Sequence, residues 1–546
     1  MGSVAPEEFD FIVVGAGPAG SMVASRLSRS TKRPSVLLIE AGGNNDLREH
    51  RVDAERWLHR MNPASAWGYQ TVPQKNLDDM VVSYDRGKGL GGSTAINFSV
   101  WTVGPKDDYD EIARLVGDDE WKWQNVHEQY KRIESYHGIE PHVPSGFQKY
   151  LDPRSEDHGS KGPIDVGFPV VWEKTLRDQM DLWVDYGHNC NIDHNDGDPV
   201  GVAVCVNSAF KGIRTTASAA LQGVPENLRI MIDAQVGRVI FNDKTAVGIE
   251  TIDGRSFQAR KEVILSTGSL DTPRILMHSG IGDADQLTKF GLPVVHANQY
   301  VGQHLKDHCH INPTWERADH TTERHKFYKS KELQAAARAQ WETDQTGPLA
   351  EIACAMGIGF LKLPSIYETP EFANLPAQVQ THLQQPTVPA YEILLNGPTA
   401  EYFMDPDNTP AAATTFIFLL NGQSEGSVTL QSSDPSVPLL FDPNFFSHPY
   451  DRRLAVEATR EVLKVHNNPA FQKDTVGIMS APESDSEADI LAFWRKTISS
   501  TWHMSGTAKM GTGQDKDRAV VDKDFKVFGV ERLRVADMSV YPVMVK

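Results

Sequence analysis

The sequence has few cysteines, and they are widely spaced. Its 546 residues include only Cys190, Cys205, Cys309 and Cys354, and no two of them form a CxxC pair. Scattered cysteines of this kind are typical of reduced thiols and not of a disulfide-linked secreted scaffold. We therefore expect a reducing compartment, with the cytosol as the default.

Long hydrophobic runs and a secretory leader pattern are also missing. The first residues, MGSVAPEEFD, are acidic and lack the basic and apolar regions of a signal peptide. The longest apolar runs, such as Phe416–Leu420, are far shorter than the roughly 20 residues that a membrane-spanning helix needs. These features predict a cytoplasmic protein without a membrane partner.

The chain has no excess of basic residues, since 54 Lys and Arg stand against 72 Asp and Glu, for a formal net charge of −18. Such a surface repels nucleic-acid phosphates and anionic lipids, which argues against both as main partners. The sequence also has no GxSxG or HExxH motif, so a hydrolase has no support. Its length and its 40% of hydrophobic residues predict a large core and two domains.

The most informative segment that is present is FIVVGAGPAGSMVASRLSRSTKRPSVLLIEAGG, residues 11–43. Its first apolar run predicts a buried parallel strand, followed by a turn with Gly15, Gly17 and Gly20 and then an amphipathic helix. These glycines allow a pyrophosphate to approach the backbone at a helix N-terminus. The second apolar run ends at Glu40, which is placed to accept hydrogen bonds from a ribose and to repel a 2′-phosphate. The segment predicts a dinucleotide site in preference to an ordinary glycine-rich βαβ turn, and it leaves FAD and NAD both open.

Four further segments carry residues typical of a ligand site, and they are residues 86–97, 268–282, 502–511 and 533–540. The glycines of the first allow the backbone to lie flat against a planar or phosphorylated ligand, and Ser93 and Asn97 add hydrogen-bonding groups. The second segment follows a buried strand. The third sets His503 in a glycine-rich loop, and the fourth is a strand that ends at Asp537.

Taken in order, these segments resemble the signature segments of the glucose–methanol–choline (GMC) family of FAD-dependent oxidoreductases, and in particular its fungal members. The resemblance implies an α/β FAD-binding domain, Rossmann-like and of the GMC type, with an inserted α+β substrate-binding domain built on an antiparallel sheet. The predicted FAD-binding domain comprises residues 1–158, 200–308 and 483–546. The predicted substrate-binding domain comprises residues 159–199 and 309–482.

The resemblance also implies which residues surround FAD. The pyrophosphate turn would be formed by Gly15, Gly17, Pro18, Ala19 and Gly20, and the adenosine ribose would be held by Glu40. The flavin would be surrounded by Trp67, Gly92, Ser93, Asn97, Phe98, Ser99 and Val100. Adenine would meet the backbone of Val236, and Asp537 would lie near the pyrophosphate and ribityl chain. Some members link FAD covalently through a histidine, but Ile96 stands at that position, so a non-covalent FAD is expected.

His503 matches the catalytic histidine of the family. The reaction needs a base with a pKa near neutrality that takes the alcohol O–H proton while the α-carbon gives a hydride to the flavin. Histidine is the side chain that titrates in this range. The predicted activity is the oxidation of a primary or secondary alcohol, such as an aromatic or secondary-metabolite alcohol, to an aldehyde or ketone. O₂ or another acceptor would then reoxidise FAD.

A metal site is not expected, although His304, His308 and His310 beside Cys309 have a spacing that resembles metal ligands. His308 falls within an Asp-His pair of the family pattern, which accounts for it without a metal. The acidic loop at residues 193–198 lacks the EF-hand ligand offsets and is expected to be a solvated turn.

The sequence departs from the family pattern after Tyr541-Pro542, where family members continue into a loop with a second catalytic Asn or His and a closing helix. We expect a site without this group, with a rate reduced by about 10²–10³-fold. Two alternative hypotheses stay open: a non-redox lyase or cyclase of the same fold, and a catalytically impaired flavin-binding isoform. A third, an NAD-dependent dehydrogenase, gives the two family signatures no role.

Overall fold

The computed structural model describes residues 7–45, 62–139, 143–151, 154–169, 172, 175–351, 356–396, 409–512 and 518–546. In chain order the strands of this part are β1 Glu7–Val14, β2 Val36–Ile39, β3 Glu134–Tyr136, β4 Ile164–Val166, β5 Gly201–Val204, β6 Ala209–Phe210, β7 Ile213–Arg214, β8 Leu228–Met231, β9 Val236–Asn242, β10 Thr245–Thr251, β11 Ser256–Leu265, β12 Ile281–Gly282, β13 His296–Ala297, β14 Gln303–Leu305, β15 Cys309–Ile311, β16 Thr314–Arg317, β17 Gly357–Leu361, β18 Tyr391–Leu395, β19 Ala412–Leu419, β20 Gly426–Thr429, β21 Leu440–Asp442, β22 Thr475–Ser480, β23 Ser499–Ser500 and β24 Leu533–Val535. The α-helices are α1 Pro18–Ser28, α2 Lys106–Val116, α3 Trp123–Lys131, α4 Leu176–Tyr186, α5 Gly268–His278, α6 Ala284–Lys289, α7 Arg324–Lys329, α8 Lys331–Asp344, α9 Pro348–Glu351, α10 Pro370–Ala373, α11 Ala377–Leu383, α12 Pro449–His466, α13 Pro469–Gln472 and α14 Glu487–Thr497.

The first sheet is mixed and has seven strands. Its order is β8-β2-β1-β11-β10-β9. Outside this order, β24 also pairs with β11. The strands β8, β2, β1, β11 and β24 run parallel, and β10 and β9 extend the sheet in antiparallel fashion. All four residues of β2 (VLLI) are buried, as an apolar strand covered on both faces requires. The predicted strand–glycine turn–helix unit at residues 11–43 therefore lies in the centre of this sheet.

The second sheet is antiparallel. Its order is β17-β18-β19-β15-β23, and β16 and β22 continue it from β19. One face of the sheet is covered by α12, where Tyr391 Oη donates a hydrogen bond to Glu461 Oε2 over 2.8 Å. On the other face Leu394 and Phe360 pack in one apolar cluster with Val100, which comes from the first signature segment. This other face therefore turns toward the ligand-site segments.

Several strands pair across the predicted domain boundaries. β23 and α14 follow residue 483, yet β23 pairs with β15 and α14 packs on α12 of the second sheet. β3 pairs with β4 across residue 158, and β14 pairs with β20 across residue 308. The exact boundaries stay a prediction.

Three cysteines, Cys190, Cys205 and Cys309, are free thiols, and Cys354 lies outside the described residues. Among the residues with a described position, no helix has the length and apolar character needed to cross a bilayer. The same part of the chain holds no group of three His, Cys, Asp or Glu side chains arranged around a metal ion.

Candidate active site

The glycine turn after β1 brings open backbone to the N-terminus of α1. Gly15 has a φ of +95°, and a Cβ there would lie 2.6 Å from the carbonyl oxygen of Ser266, so only glycine fits. A Cβ on Gly20 would lie 1.8 Å from the Gly15 oxygen, which keeps the helix close to the strand. By contrast, a Cβ on Gly17 would have no atom within 4 Å, and Pro18 begins the helix. The turn therefore presents backbone and a helix N-terminus to open space.

A cavity of about 410 Å³ lies at the carboxyl ends of β1, β2 and β11. This volume is typical of small-molecule sites. Ten of the predicted cofactor residues line it, and they are Gly15, Gly17, Pro18, Ala19, Glu40, Trp67, Gly92, Ser93, Val236 and Asp537. Of the other predicted residues, Gly20 lies behind the turn, and Asn97, Phe98, Ser99 and Val100 lie beyond the lining of this cavity.

Glu40 joins the glycine turn to the first signature segment. Its Oε2 accepts a hydrogen bond from the backbone N–H of Ala16 over 2.7 Å. Its Oε1 accepts from Gly42 over 2.9 Å and from Gly89 over 3.0 Å. Burial raises the pKa of Glu40, and these backbone donors oppose the rise. The carboxylate also lines the cavity, where a ribose hydroxyl could reach it.

Two close contacts complete the cavity wall, one at Gly17 and one at Asp537. Gly92 has a φ of +52°, and a Cβ there would lie 2.7 Å from Gly17 Cα, so the two glycine-rich segments pack backbone against backbone. On the opposite side, Asp537 Oδ2 accepts hydrogen bonds from Gly268 N over 2.9 Å and from Thr272 Oγ1 over 2.6 Å. The segment after β24 is thereby fixed to the N-terminus of α5.

His503 lies in the loop after β23, and its ring meets the ring of buried His308. The two Nδ1 atoms are 3.2 Å apart, so one ring donates a hydrogen bond to the other. The rings are nearly perpendicular, at 84°. The next residue, Met504, lines the cavity. The structure therefore places His503 beside the cavity, next to His308 of the Asp-His pair.

The backbone of the His503 loop is held from two sides. Asp307 Oδ1 accepts a hydrogen bond from the backbone N–H of His503 over 2.8 Å, and the Asp307 carboxylate also accepts from the hydroxyl of Ser500. Trp502 has a φ of +59°, which is unfavourable for a residue other than glycine. Arg86 donates a hydrogen bond to the Trp502 carbonyl oxygen and so fixes this conformation.

The electrostatics of this loop keep both histidines uncharged at neutral pH. The His503 side chain is exposed beside the cavity, but protein atoms surround much of its ring. Desolvation together with the charge of Arg86 lowers its pKa to about 4. Burial and the neighbouring His503 lower the pKa of His308 well below its usual value. Burial has the opposite effect on the carboxyl of Asp307 and raises its pKa to about 7. His503 is therefore uncharged at neutral pH, but its pKa of about 4 lies below the near-neutral value expected from the sequence, so it is a weaker base than expected.

Sequence reasoning did not assign roles to Arg86, Asp307 or Asp271. Arg86 and Asp307 contact the His503 loop, and both stand in segments already matched to the family pattern. Asp271 lies in the wall of the cavity, where its Oδ1 accepts hydrogen bonds from Arg274 Nε over 2.8 Å and from Tyr69 Oη over 3.2 Å. The Asp-His pair at residues 307–308 was the signal that could have linked these residues to His503.

Comparison with known proteins gives matches along the whole chain. Two family models described as GMC oxidoreductase match residues 9–310 and 422–546. Pyranose dehydrogenase 3 of Leucoagaricus meleagris is 30% identical over 567 residues, which cover 98% of this chain and 89% of that protein. Patulin synthase of Penicillium expansum is 29% identical over 98% of this chain and 88% of its own length.

Solved structures are similar over the same extent. The crystal structure of formate oxidase superposes with a TM-score of 0.88 at 25% identity and covers 100% of this chain and 95% of its own. The structure of a fungal aryl-alcohol oxidase has a TM-score of 0.82 at 24% identity, with 99% and 96% of the two chains covered.

Proposed function

This chain belongs to the GMC oxidoreductase family, and we propose that it oxidises a primary or secondary alcohol to an aldehyde or ketone with His503 as the base. The family resemblance and the fold class predicted from the sequence are confirmed. As a member of the family, the protein is an FAD-dependent enzyme that acts on CH–OH donors. When bound, FAD supplies the acceptor for the hydride of the alcohol.

The residues around the cavity fit FAD. The open backbone at Gly17 and the N-terminus of α1 suit a pyrophosphate, and the Glu40 carboxylate lines the cavity where a ribose would lie. Ile96 packs in a small buried cluster with Ala66 and Ala95, all of them without a nucleophilic group. This environment supports the proposal that FAD binds without a covalent link.

The neutral His503 is the observation that carries the proposal. The tautomer in which His503 Nδ1–H donates to His308 Nδ1 leaves a lone pair on His503 Nε2. This lone pair would take the O–H proton of the alcohol, and His308 would hold the ring in that tautomer. Arg86 and Asp307 would position the ring through the loop backbone. His503 is then the catalytic residue, and the other three are positioning residues.

The test is the reduction of bound flavin under anaerobic conditions. The purified holoenzyme is mixed with a panel of aryl and allylic alcohols, and the oxidised flavin absorption band is followed. We expect one alcohol class to bleach the band and His503→Gln to slow bleaching by about 10²- to 10⁴-fold. His320→Gln is the matched control, because His320 is exposed and forms an ion pair with Asp474.

Either of two results contradicts this proposal. One is a flavin band that no alcohol bleaches although FAD is bound, which favours the lyase or cyclase hypothesis. The other is a His503→Gln variant that reduces flavin at the rate of the unchanged protein. Production of peroxide in step with alcohol consumption identifies O₂ as the acceptor, and its absence indicates another acceptor.

A further inference from the structure

A row of side chains crosses the second sheet on the face turned toward the His503 loop. The register pairs Phe360 of β17 with Glu392 of β18, Glu392 with Phe418 of β19, and Phe418 with His310 of β15. Directly paired residues of an antiparallel sheet place their side chains on the same face. Phe360, Glu392, Phe418 and His310 therefore form one continuous row, which we call the Glu392 row.

The Glu392 row leads to the candidate catalytic residue. The His310 ring lies 5.0 Å from the Phe418 ring and 6.2 Å from the ring of Trp502, the residue before His503. Trp502 also meets Phe98 of the first signature segment at 5.9 Å between ring centres. Adjacent strands lie about 4.8 Å apart, so Glu392 stands about 10 Å from His310 along the sheet.

Open space lies above the middle of the row. β18 and β19 are central strands, and their alternate residues Tyr391, Ile393 and Ile417 are fully buried on the face toward α12. On the Glu392 face, by contrast, the side chains of Glu392 and Phe418 are only partly buried. Since β17 and β19 pair with the two edges of β18, this exposure lies on the sheet face that also carries His310, and we call this partly exposed area the recess.

Glu392 is a carboxyl group without a partner. Among the residues whose positions the structure describes, none forms a hydrogen bond or an ion pair with its carboxyl oxygens, and its nearest cross-strand neighbours are the rings of Phe360 and Phe418. A carboxyl group in apolar surroundings destabilises the protein unless it acquires a hydrogen-bonding partner. An unpaired acid in an aromatic recess is therefore expected where a ligand supplies that partner.

We propose that Glu392 is a specificity-determining residue that hydrogen-bonds a second, uncharged oxygen group of the alcohol, away from the carbon that is oxidised. The inference rests on the proposed function, because it places the oxidised carbon of the substrate at His503. The aromatic side chains of the Glu392 row would pack against the substrate between these two points. The substrate class is then a neutral alcohol with a second hydroxyl or carbonyl group.

The charge state of the recess supports an uncharged partner. Desolvation raises the pKa of Glu392 to about 8, so the group is mostly a neutral acid at pH 7, able both to donate and to accept a hydrogen bond. The titratable groups around this face are His310 in the same row, His194 against Phe360, and the pair His308 and His503. His194, His308 and His503 all have lowered pKa values, so none of the three supplies a positive charge at neutral pH.

The first experiment measures ligand binding without turnover, in the His503→Gln holoenzyme. Calorimetry gives the Kd of benzyl alcohol, of 1,4-benzenedimethanol and of 4-(aminomethyl)benzyl alcohol, with and without a second substitution at Glu392. We expect Glu392→Leu to weaken binding of the dimethanol by about 3- to 10-fold, as the loss of one hydrogen bond implies, and to leave benzyl alcohol nearly unchanged. Glu392→Gln keeps a neutral donor and acceptor and should retain most of the affinity. Glu316→Leu, on β16 of the same sheet, is the control.

The second experiment measures flavin reduction against pH in the protein with His503 intact. Above about pH 8 Glu392 ionises and no longer donates, so KM for 4-acetylbenzyl alcohol, whose second oxygen is a carbonyl that can only accept, should rise, while KM for benzyl alcohol stays flat. Glu392→Gln should abolish this rise, which a merely structural role would not do.

Three results overturn the proposal: an equal loss of affinity for all three ligands, no loss with Glu392→Leu, or tightest binding of the aminomethyl compound that Glu392→Gln abolishes. The last would make Glu392 a cation site. If the Kd pattern appears but no alcohol reduces the flavin of the unchanged protein, the proposed oxidation fails and Glu392 remains a ligand-binding residue. If an alcohol reduces flavin but the Kd pattern is missing, only the Glu392 proposal fails.

Discussion

His158 is buried and His503 is exposed beside the cavity, and their pKa values move in opposite directions. The His158 ring stands between Glu134 and Asp193, with Nδ1 3.1 Å from Glu134 Oε1 and Nε2 3.0 Å from Asp193 Oδ2. Burial alone would lower its pKa, but the hydrogen bonds to the two carboxylates raise it to about 9. His503 instead has a second histidine and Arg86 as neighbours, and desolvation with the Arg86 charge lowers its pKa to about 4.

The difference shows how the neighbours decide what a histidine can do. Both ring nitrogens of His158 donate to carboxylates, so the ring is a cation at neutral pH and joins β3 to the loop at residues 193–195. His503 keeps one nitrogen free and uncharged, and this nitrogen can take a proton from a substrate. We therefore regard His158 as structural and His503 as catalytic, and the following predictions test this contrast.

The largest effect should follow from removing the positively charged ring of His158. His158→Leu leaves Glu134 and Asp193 buried without a positive partner, which should destabilise the protein by about 3–5 kcal/mol. Urea unfolding measures the change. His320→Leu, which removes an exposed ion pair with Asp474, should cost about 1 kcal/mol or less. Equal losses in the two variants would contradict the structural role of His158.

The second prediction concerns stability against pH. The pKa of His158 is raised from 6.5 to about 9 on folding, so its stabilising contribution is complete below pH 6.5 and is lost as the pH rises through about 9. The shift corresponds to about 3 kcal/mol. The measurement is the difference in unfolding free energy between the unchanged protein and His158→Leu across this range, which removes the effect of other titrating groups. A difference that stays constant with pH would show that His158 does not carry the charge.

A smaller effect is expected from the partner of the catalytic histidine. His308→Leu removes the group that fixes the His503 tautomer, while His503 itself stays in place. We expect flavin reduction to slow by about 10- to 10²-fold, less than for loss of the base itself. His466→Leu removes a buried histidine of α12 whose ring stacks on Trp315, and it serves as the control for packing. An unchanged rate in His308→Leu would show that His503 does not need His308 to hold its tautomer.

The smallest effect should be a shift of the acid limb of the pH–rate profile. Flavin reduction by the unchanged protein should persist at mildly acidic pH and fall only as the pH approaches about 4, where His503 becomes protonated. Arg86→Gln removes a nearby positive charge and should raise this pKa by about one unit, so the limb moves to higher pH. Arg86→Lys keeps the charge and should keep the limb, unless the hydrogen bond to Trp502 and not the charge sets the pKa of His503.

The residues that the structure brings to one cavity are those whose prediction depends on local spacing in the sequence. Gly15, Gly17 and Glu40 lie within one strand–turn–helix–strand unit, and a turn of this kind forms from neighbouring residues. The structure brings them to one cavity, although their contacts with FAD stay a prediction. The family pattern similarly led to His503 and Asp537.

The rest depends on pairs of residues far apart in the chain. His308 meets His503, and Glu392 meets Phe418, through the register of a sheet whose strands are not consecutive. Neither contact leaves a periodic signal in the sequence. The sequence could not predict the charge of His158 either, because that charge depends on Glu134 and Asp193, which come from two different segments.

The place of β24 in the first sheet has a consequence for the order in which the protein is made. β24 pairs with the central strand β11, and Asp537 just beyond it caps the N-terminus of α5 at the cavity. A ribosome adds about 5–20 residues per second, so β1 waits roughly half a minute to two minutes before Asp537 is synthesised. Until then the cavity wall at Asp537 is missing and β11 lacks its partner β24, so the site is completed only near the end of synthesis.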